Sequence, residues 1–440
     1  MGLRATLRHM RRPAVTALVA ATVATVAAAC GSSSSGGDNK HVTYWSMYKV
    51  GEPAQKVLAA AISDFEHKTG IKVDAQWQGR NNMTKLQPAL NTSSVPDLVD
   101  ASYVKMYPVL IATHQALGLD QAYSEKIDGG STAGKLIPDR YLKNIDIQYD
   151  NGQKWMLPYT LTSDGIWFDA AKYAQLQAAP PQNWDQFISE LNTLKAQGGR
   201  APIALDGDIA GYNAFWFDTL MMRNLGPGSL MKLASDKTGS AWDNPAVLDA
   251  AKRVEQLVKG GYFIHGYNAS KWPAQQQAWA NGKAALLFMG SWAPTETAPY
   301  AASGFQYASF PFPQTNASVP TSARADFIGF AVPKKAKNPK AAQQLAAFVL
   351  GKKYEQEFGA QAKLLPVRSD VSVSPELSGV KKSLDEAKET YQQNDGVAFP
   401  GYNEKVFWPV DDKLVLGEIS AEKFVSTMKA ATVRYWESQN

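Results

Sequence analysis

The chain has 440 residues, 45% of them hydrophobic and 19% charged, with a formal net charge of +5. That length accommodates two or more ordinary domains with a sizeable core, and the composition excludes a disordered or fibrous chain. Arg4, Arg8, Arg11 and Arg12 precede Cys30 with no acid among them, so the remainder carries only +1. No basic field for a nucleic-acid partner survives once that segment is set aside.

Residues 1–29 read as a secretory leader: an Arg-rich start, then Pro13 to Ala29 with only small and apolar residues plus threonines. The leader ends Ala27-Ala-Ala-Cys30, and Cys30 is the chain's one cysteine. A lone cysteine behind small residues is similar to a bacterial lipobox, where the thiol is lipidated and becomes the mature N-terminus. Ala27 departs from the larger aliphatic residue usual at that position. Plain secretion is the alternative; a spanning anchor fits worse, since about 17 residues interrupted by threonine barely cross a bilayer. Arg11-Arg12 lacks the apolar residues expected behind a twin-arginine signal, so ordinary export is the reading. Residues 30–40 are Ser- and Gly-rich, a flexible tether. With its one thiol there, the folded part has no disulfide.

Val42-Thr43-Tyr44-Trp45 predicts a strand. From Ala54 to Thr69 the 3–4 spacing of Val57, Leu58, Ala61, Ile62 and Phe65, closed by Gly70, predicts an amphipathic helix. Ile71 to Trp77 alternates as a second strand, and Pro96 to Val99 reads as a third after a further helical stretch. This β-α-β-α-β order implies a parallel sheet with helices on its faces, and ligand groups beyond the strands' carboxyl ends. Further on, Gly152 to Asp169 places two apolar runs, Trp155-Met156-Leu157 and Ile166-Trp167-Phe168, around a polar break from Thr160 to Gly165. Pro158 argues against a central strand there. Helices are expected from Trp184, after Asn244-Pro245, after Asn338-Pro339 and from Ser420, with strands at Lys283 to Met289 and Phe327 to Val332.

Seven short motifs in order carry a family resemblance. They are Tyr44-Trp45, Pro96 to Val99, Trp155 to Asp169, Pro181 to Phe187, Gly282 to Trp292, Phe327 to Ala342 and Leu364 to Asp370. Together they resemble the extracellular solute-binding proteins of bacterial ABC importers, in the large sugar-binding family that includes maltodextrin receptors. The resemblance implies a two-lobed α/β fold, each lobe a sheet flanked by helices, joined by a multi-strand hinge and closing over ligand. The first lobe would comprise residues 41–161 and 313–352, and the second 162–312 and 353–440. The implied partners are a saccharide, the membrane permease of the importer and, through Cys30, the membrane. A monomer without cofactor or metal is expected.

The chemistry suits a sugar independently, because a pyranose has apolar C–H faces for aromatic planes and hydroxyls for carboxylates, amides and Arg. Trp292, past a strand end behind Gly290-Ser291, is the leading stacking platform, with Trp408 and one aromatic of the Tyr212–Trp216 run, taken as Trp216, beside it. Polar candidates are Ser163 and Asp164 in the central stretch, and Asp326 before its strand, with Arg324 weaker. Trp45, Arg80, Asn81, Asp100 and Tyr103 come from the first strands' ends. Several aromatics favour an oligosaccharide over a single ring. Scattered single charges favour a neutral polyol over the alternatives within the same fold, a polyamine or a glycerophosphodiester. The five histidines, His9, His41, His67, His114 and His265, show no metal-binding spacing, and no nucleophile elbow or phosphate loop is present. The enzymatic alternative is a surface-anchored glycoside hydrolase using a carboxylate pair such as Asp100 and Asp164.

Overall fold

The computed structural model describes residues 40–142, 147, 149, 151–198 and 201–439. The predicted leader, Cys30 and all of the tether but Lys40 lie outside the described residues. Among the described residues fourteen strands form in chain order. The first are β1 (His41–Ser46), β2 (Lys72–Trp77), β3 (Leu98–Ser102) and a small hairpin of β4 (Lys126–Ile127) and β5 (Ser131–Thr132). Next come β6 (Leu157–Thr162), β7 (Asp164–Asp169), β8 (Ile203–Ala204), β9 (Leu286–Gly290) and β10 (Tyr307–Phe310). The last are β11 (Ser322–Arg324), β12 (Asp326–Ala331), β13 (Leu365–Pro366) and β14 (Glu389–Tyr391).

The opening is as the periodicity predicts. β1 pairs in parallel with both β2 and β3. The helix Pro53–Thr69 crosses between β1 and β2, burying Val57, Leu58, Ala61, Ile62 and Phe65. It starts on a proline whose missing N–H costs nothing at that position, and Gly70, at φ 73°, stops it. Antiparallel strands then extend this sheet to the order β13-β6-β12-β3-β1-β2, the core of the first lobe. A separate four-stranded sheet, β10-β7-β9-β8, builds the second lobe.

The central stretch differs from its expected form. Trp155 and Met156 are buried but precede the strand, and the residues read as a polar break are strand instead. β6 runs to Thr162 in the first sheet, and β7 begins at Asp164 in the second, so Ser163 alone is the crossing. Pro158 does lie in an internal strand. It is tolerated because the β6–β12 register shifts between Ile328 and Gly329, and the irregularity releases the ladder position that a proline cannot serve.

The chain returns between β10, in the second sheet, and β12, in the first. It crosses a third time later than the predicted boundary at 352/353. The helix Lys352–Ala360 and β13 stay with the first sheet, where β13 pairs with β6. Further crossing contacts come from β14, which pairs with β11, while the Thr390 hydroxyl donates to the Arg140 carbonyl at 2.8 Å.

Many of the tryptophans build the core, which weakens their number as a sign of sugar stacking. Trp155, Trp167, Trp216, Trp242 and Trp279 are each at most 1% exposed. Among the described residues no helix is long and apolar enough to cross a membrane.

A Cβ at Gly329 would lie 2.8 Å from the Leu157 carbonyl oxygen and 2.6 Å from Met156 Cε. The carbonyl belongs to the neighbouring strand and cannot yield without opening the ladder. Gly329→Ala should therefore cost about 1–3 kcal/mol in urea unfolding. An unchanged midpoint would mean that β6 and β12 separate freely at the irregularity.

Candidate functional site

At the crossings three strands bring charge together. Arg324 ends β11, Asp326 opens β12 and Asp164 opens β7. Arg324 is 2% exposed. Its Nε donates to Asp326, its Nη2 donates to Gln393 Oε1 at 3.0 Å, and its Nη1 lies 3.8 Å from Asp164 Oδ2. The guanidinium covers the face of Phe215 at 4.2 Å and stands 5.9 Å from the ring centre of Trp292. Asp326 also accepts the Gln393 backbone N–H at 2.8 Å, and the Gln393 amide donates to the Gly211 carbonyl at 3.0 Å.

Around this cluster stand three half-exposed aromatics: Trp292, Tyr212 and Trp408. Trp292 takes its place because β9 ends in Gly290, over which the indole folds back. A Cβ at Gly290 would meet the ring at 2.2 Å, so only glycine permits this conformation. Tyr212 packs 6.0 Å from Trp292, tilted 32°. Its phenol is pushed up to about 12 by burial and by Glu296, against Trp292 and Arg324. Trp408 donates to Asn394 Oδ1 at 3.4 Å, and its ring lies beside Gly211 together with the Gln393 amide.

The loop from Gln392 to Gly396 carries Gln393 and Asn394 into the site. Asn394 and Asp395 are both left-handed, at φ 51° and 53°, a conformation Asn and Asp adopt most readily after glycine. Two buried carboxylates hold it. Asp218 accepts the Asn394 N–H at 2.7 Å, and Asp395 accepts the N–H groups of Gly228, Leu230 and Met231. A cavity of about 360 Å³ joins this loop and Trp408 to Val104, Lys105 and Pro108 of the first lobe, so it lies between the lobes. A larger cavity, about 840 Å³, lies on the first lobe's outer helices. Its carboxylates are already committed, Asp64 to Lys353 and Asp128 to Arg368.

Of the residues expected from sequence, Asp164, Asp326, Trp292 and Trp408 come together, with Ser163 at the crossing and Tyr103 on a neighbouring cavity. Others do not join them. Trp216 is core: it packs edge-on to Phe263, Phe288 and Phe312, and Tyr212 is the member of that run left half-exposed beside Trp292. Trp45 lies inside β1, bonded to strands on both sides and half-buried against the core. Asp100 is fully buried and spent on structure. It accepts the Met47 N–H at 2.9 Å and the Tyr159 hydroxyl at 2.5 Å, and burial raises it to about 6 against those bonds. Arg80 is paired with Glu52 at 2.8 Å and donates to the Met47 carbonyl at 2.6 Å, so it braces the loops after β1 and β2. Asn81 is exposed at the start of the next helix without a side-chain capping bond. Gln393 and Asn394 were not legible in sequence, because their partners lie far away along the chain.

An α/β body of two sheets, crossed repeatedly by one chain and carrying an aromatic- and charge-lined cleft, is built to hold a small solute. Residues 44–356 match the family model for bacterial extracellular solute-binding proteins, and the chain belongs to that family. It is 25% identical over 307 residues to an uncharacterised ABC transporter extracellular-binding protein of Pyrococcus horikoshii, covering 68% of this chain and 69% of that one. It is 24% identical over 279 residues to a probable sugar-binding periplasmic protein of Brucella suis, covering 61% and 64%. Among solved structures, the solute receptor AcbH, described as exclusive for β-D-galactopyranose, superposes with a TM-score of 0.73 at 18% identity, covering 92% of this chain and 98% of that one. A chitin oligosaccharide binding protein superposes at 0.70 with 20% identity, covering 90% and 98%.

Asp164 titrates in this setting. Burial raises its carboxyl to about 6, against the attraction of Arg324 and Arg223 and with the repulsion of Asp326. The folded chain thus holds this proton more tightly than the unfolded chain. The stability that protonation contributes is present below about pH 4 and lost as pH rises through about 6. Asp164→Asn should melt higher than the parent at pH 7.5 and lose that advantage below about pH 4 in thermal scans. A lower melting temperature at pH 7.5 would show that the attraction to Arg324 outweighs the burial.

Proposed function

We propose that this protein is the saccharide receptor of an ABC importer, capturing its ligand between two lobes and delivering it to the membrane permease. The observation that carries the reading is the constellation of Trp292, Tyr212 and Trp408 around Arg324, Asp326 and Gln393 at the chain crossings. Aromatic planes take the C–H faces of a pyranose, while the carboxylate, amide and guanidinium take its hydroxyls. Ser163 Oγ, Asp164 Oδ2 and Arg324 Nη1 are buried at the crossing with no hydrogen-bond partner among the described residues, so acceptor and donor capacity is available there. The relatives support the class: a probable sugar-binding periplasmic protein, a multiple sugar-binding protein, and a solved complex with raffinose.

Charge balance supports a neutral ligand. At the chain crossings Arg324 is already answered by Asp326 and Asp164, so it is no spare cation for a phosphodiester, and Asp326 is spent on Arg324 rather than open to a polyamine. The carboxylates also argue for a receptor and against a hydrolase. Asp100 is committed to Met47 and Tyr159, and Asp164 and Asp326 lean on one guanidinium instead of flanking a free bond. Ligand contacts from both lobes favour the closed arrangement, which the permease then recognises. Cys30 anchors the monomer to the outer face of the cell membrane through its lipid, and the ligand is an oligosaccharide.

The test is a thermal-shift screen of mono- and oligosaccharides against charged solutes. A ligand at 100 times its Kd adds about 2.7 kcal/mol to stability. Stabilisation by polyamines or phosphodiesters, with none by any sugar, would sink the saccharide reading. For the sugar that binds, Trp292→Ala should weaken affinity by about 1–3 kcal/mol with the melting temperature of the free protein nearly unchanged. Undiminished affinity would remove Trp292 from the site.

A further inference from the structure

Beside the cavity that holds Trp408 lies a second one, of about 410 Å³, and the two share Pro108, Ala398, Phe399 and Pro400. Tyr103, Tyr107 and Ala112 close it from the first lobe; Pro227, Met231 and Phe399 close it from the second. These walls are fixed. Tyr103 packs 5.6 Å from Tyr107 and 5.7 Å from Trp155, and Phe399 packs 5.0 Å from Trp436. The Pro400 carbonyl accepts the Tyr435 hydroxyl at 3.1 Å.

Its polar groups are few and mostly committed. Asp395 is the one charged side chain in the lining. Its Oδ1 accepts the Gly228 N–H at 2.8 Å, and its Oδ2 accepts those of Leu230 and Met231 at 2.9 and 3.1 Å. Gln392, 2% exposed, offers one buried acceptor oxygen without a partner. A pyranose seated here would leave most of its hydroxyls without partners, which lowers affinity for each one stranded. A planar apolar group strands nothing and gains from leaving water. An apolar cavity of about 150 Å³ already holds a benzene ring, so this one has room for a ring and its substituent.

We propose that this compartment takes the apolar aglycone of a glycoside, an uncharged aryl or alkyl group, while the sugar sits against Trp292, Tyr212 and Trp408. The proposal rests on the saccharide reading above. It makes the cleft two-part, with hydroxyl recognition at the chain crossings and apolar recognition between Tyr107 and Met231. The preferred ligand is then a substituted glycoside more than a free sugar.

The experiment is calorimetric titration of the full chain with free sugars, their methyl glycosides and their p-nitrophenyl glycosides, in both anomers. The p-nitrophenyl glycoside of the preferred sugar should bind at least about tenfold more tightly than its methyl counterpart. Met231→Gln, which makes one wall polar, and Ala112→Phe, which fills the space, should each bring that ratio toward one while methyl glycoside affinity holds. Equal affinity for the two glycosides overturns the proposal, as does a preference that both variants leave intact. An oligosaccharide that binds more tightly than its own aryl glycoside assigns the compartment to a further sugar ring and also overturns it. Failure of every sugar and glycoside, with charged solutes binding instead, defeats the underlying saccharide reading and this proposal with it.

Discussion

A guanidinium out of reach of water must find its counter-charges within the protein, and this structure is arranged so that Arg324 does. Its neighbours come from strands that belong to different sheets: Asp164 opens β7 in the second, and Asp326 opens β12 in the first. The ion cluster therefore sits where the chain passes between lobes, and removing Asp326, the close partner of Arg324, would leave charge uncompensated at the joint. Burial and compensation together explain why charged groups gather where the chain passes between lobes, at the proposed site. Polar groups held there by necessity are the ones that can turn toward a hydroxylated ligand.

The second lobe's contribution is a matter of positioning. Trp292 lies over Gly290 because that glycine has no side chain in its path, and Trp408 is held beside Gly211 by its bond to Asn394. The loop after β14 takes two consecutive left-handed residues, a conformation retained because Asp218 and Asp395 bind its backbone and that of the neighbouring helix. Burial drives Asp218 well above the usual carboxylate range, with Asp395 adding to the shift. The protein tolerates two costly acids in its interior, and what they hold in place is Gln393 and Asn394.

Periodicity made the first sheet readable. Alternation in β2, the 3–4 spacing of the helix Pro53–Thr69 and its closing glycine are local signals, and the structure follows them. Legibility failed where a neighbour distant in sequence decides the outcome. Thr160 and Thr162 look like a polar break, yet β-branched residues are good strand formers and β12 and β13 supply their partners. Pro158 looks excluded from an internal strand, and the irregular pairing of β6 with β12, which skips Tyr159, admits it. Trp216 looks like a cleft aromatic until the helix Ala210–Asn224 turns it inward and leaves Tyr212, one turn earlier, half-exposed. Family resemblance supplied the order of lobes and crossings, but it placed the last crossing before β13 when that strand still belongs to the first sheet.

The strand order carries a consequence for how the molecule comes into being. β6 lies between β12 and β13, both made long after it, while β1, β2 and β3 find one another early. Because the chain is released N-terminus first, β6 waits without either sheet neighbour until most of it has emerged. By then β7 and β9 have already been able to pair, across a shorter though still long separation. Such distant pairings form slowly and in concert. Closing the first sheet and building the joint between lobes are thus one event, while the second sheet, whose strands β7 to β10 all precede β12, can be complete ahead of it.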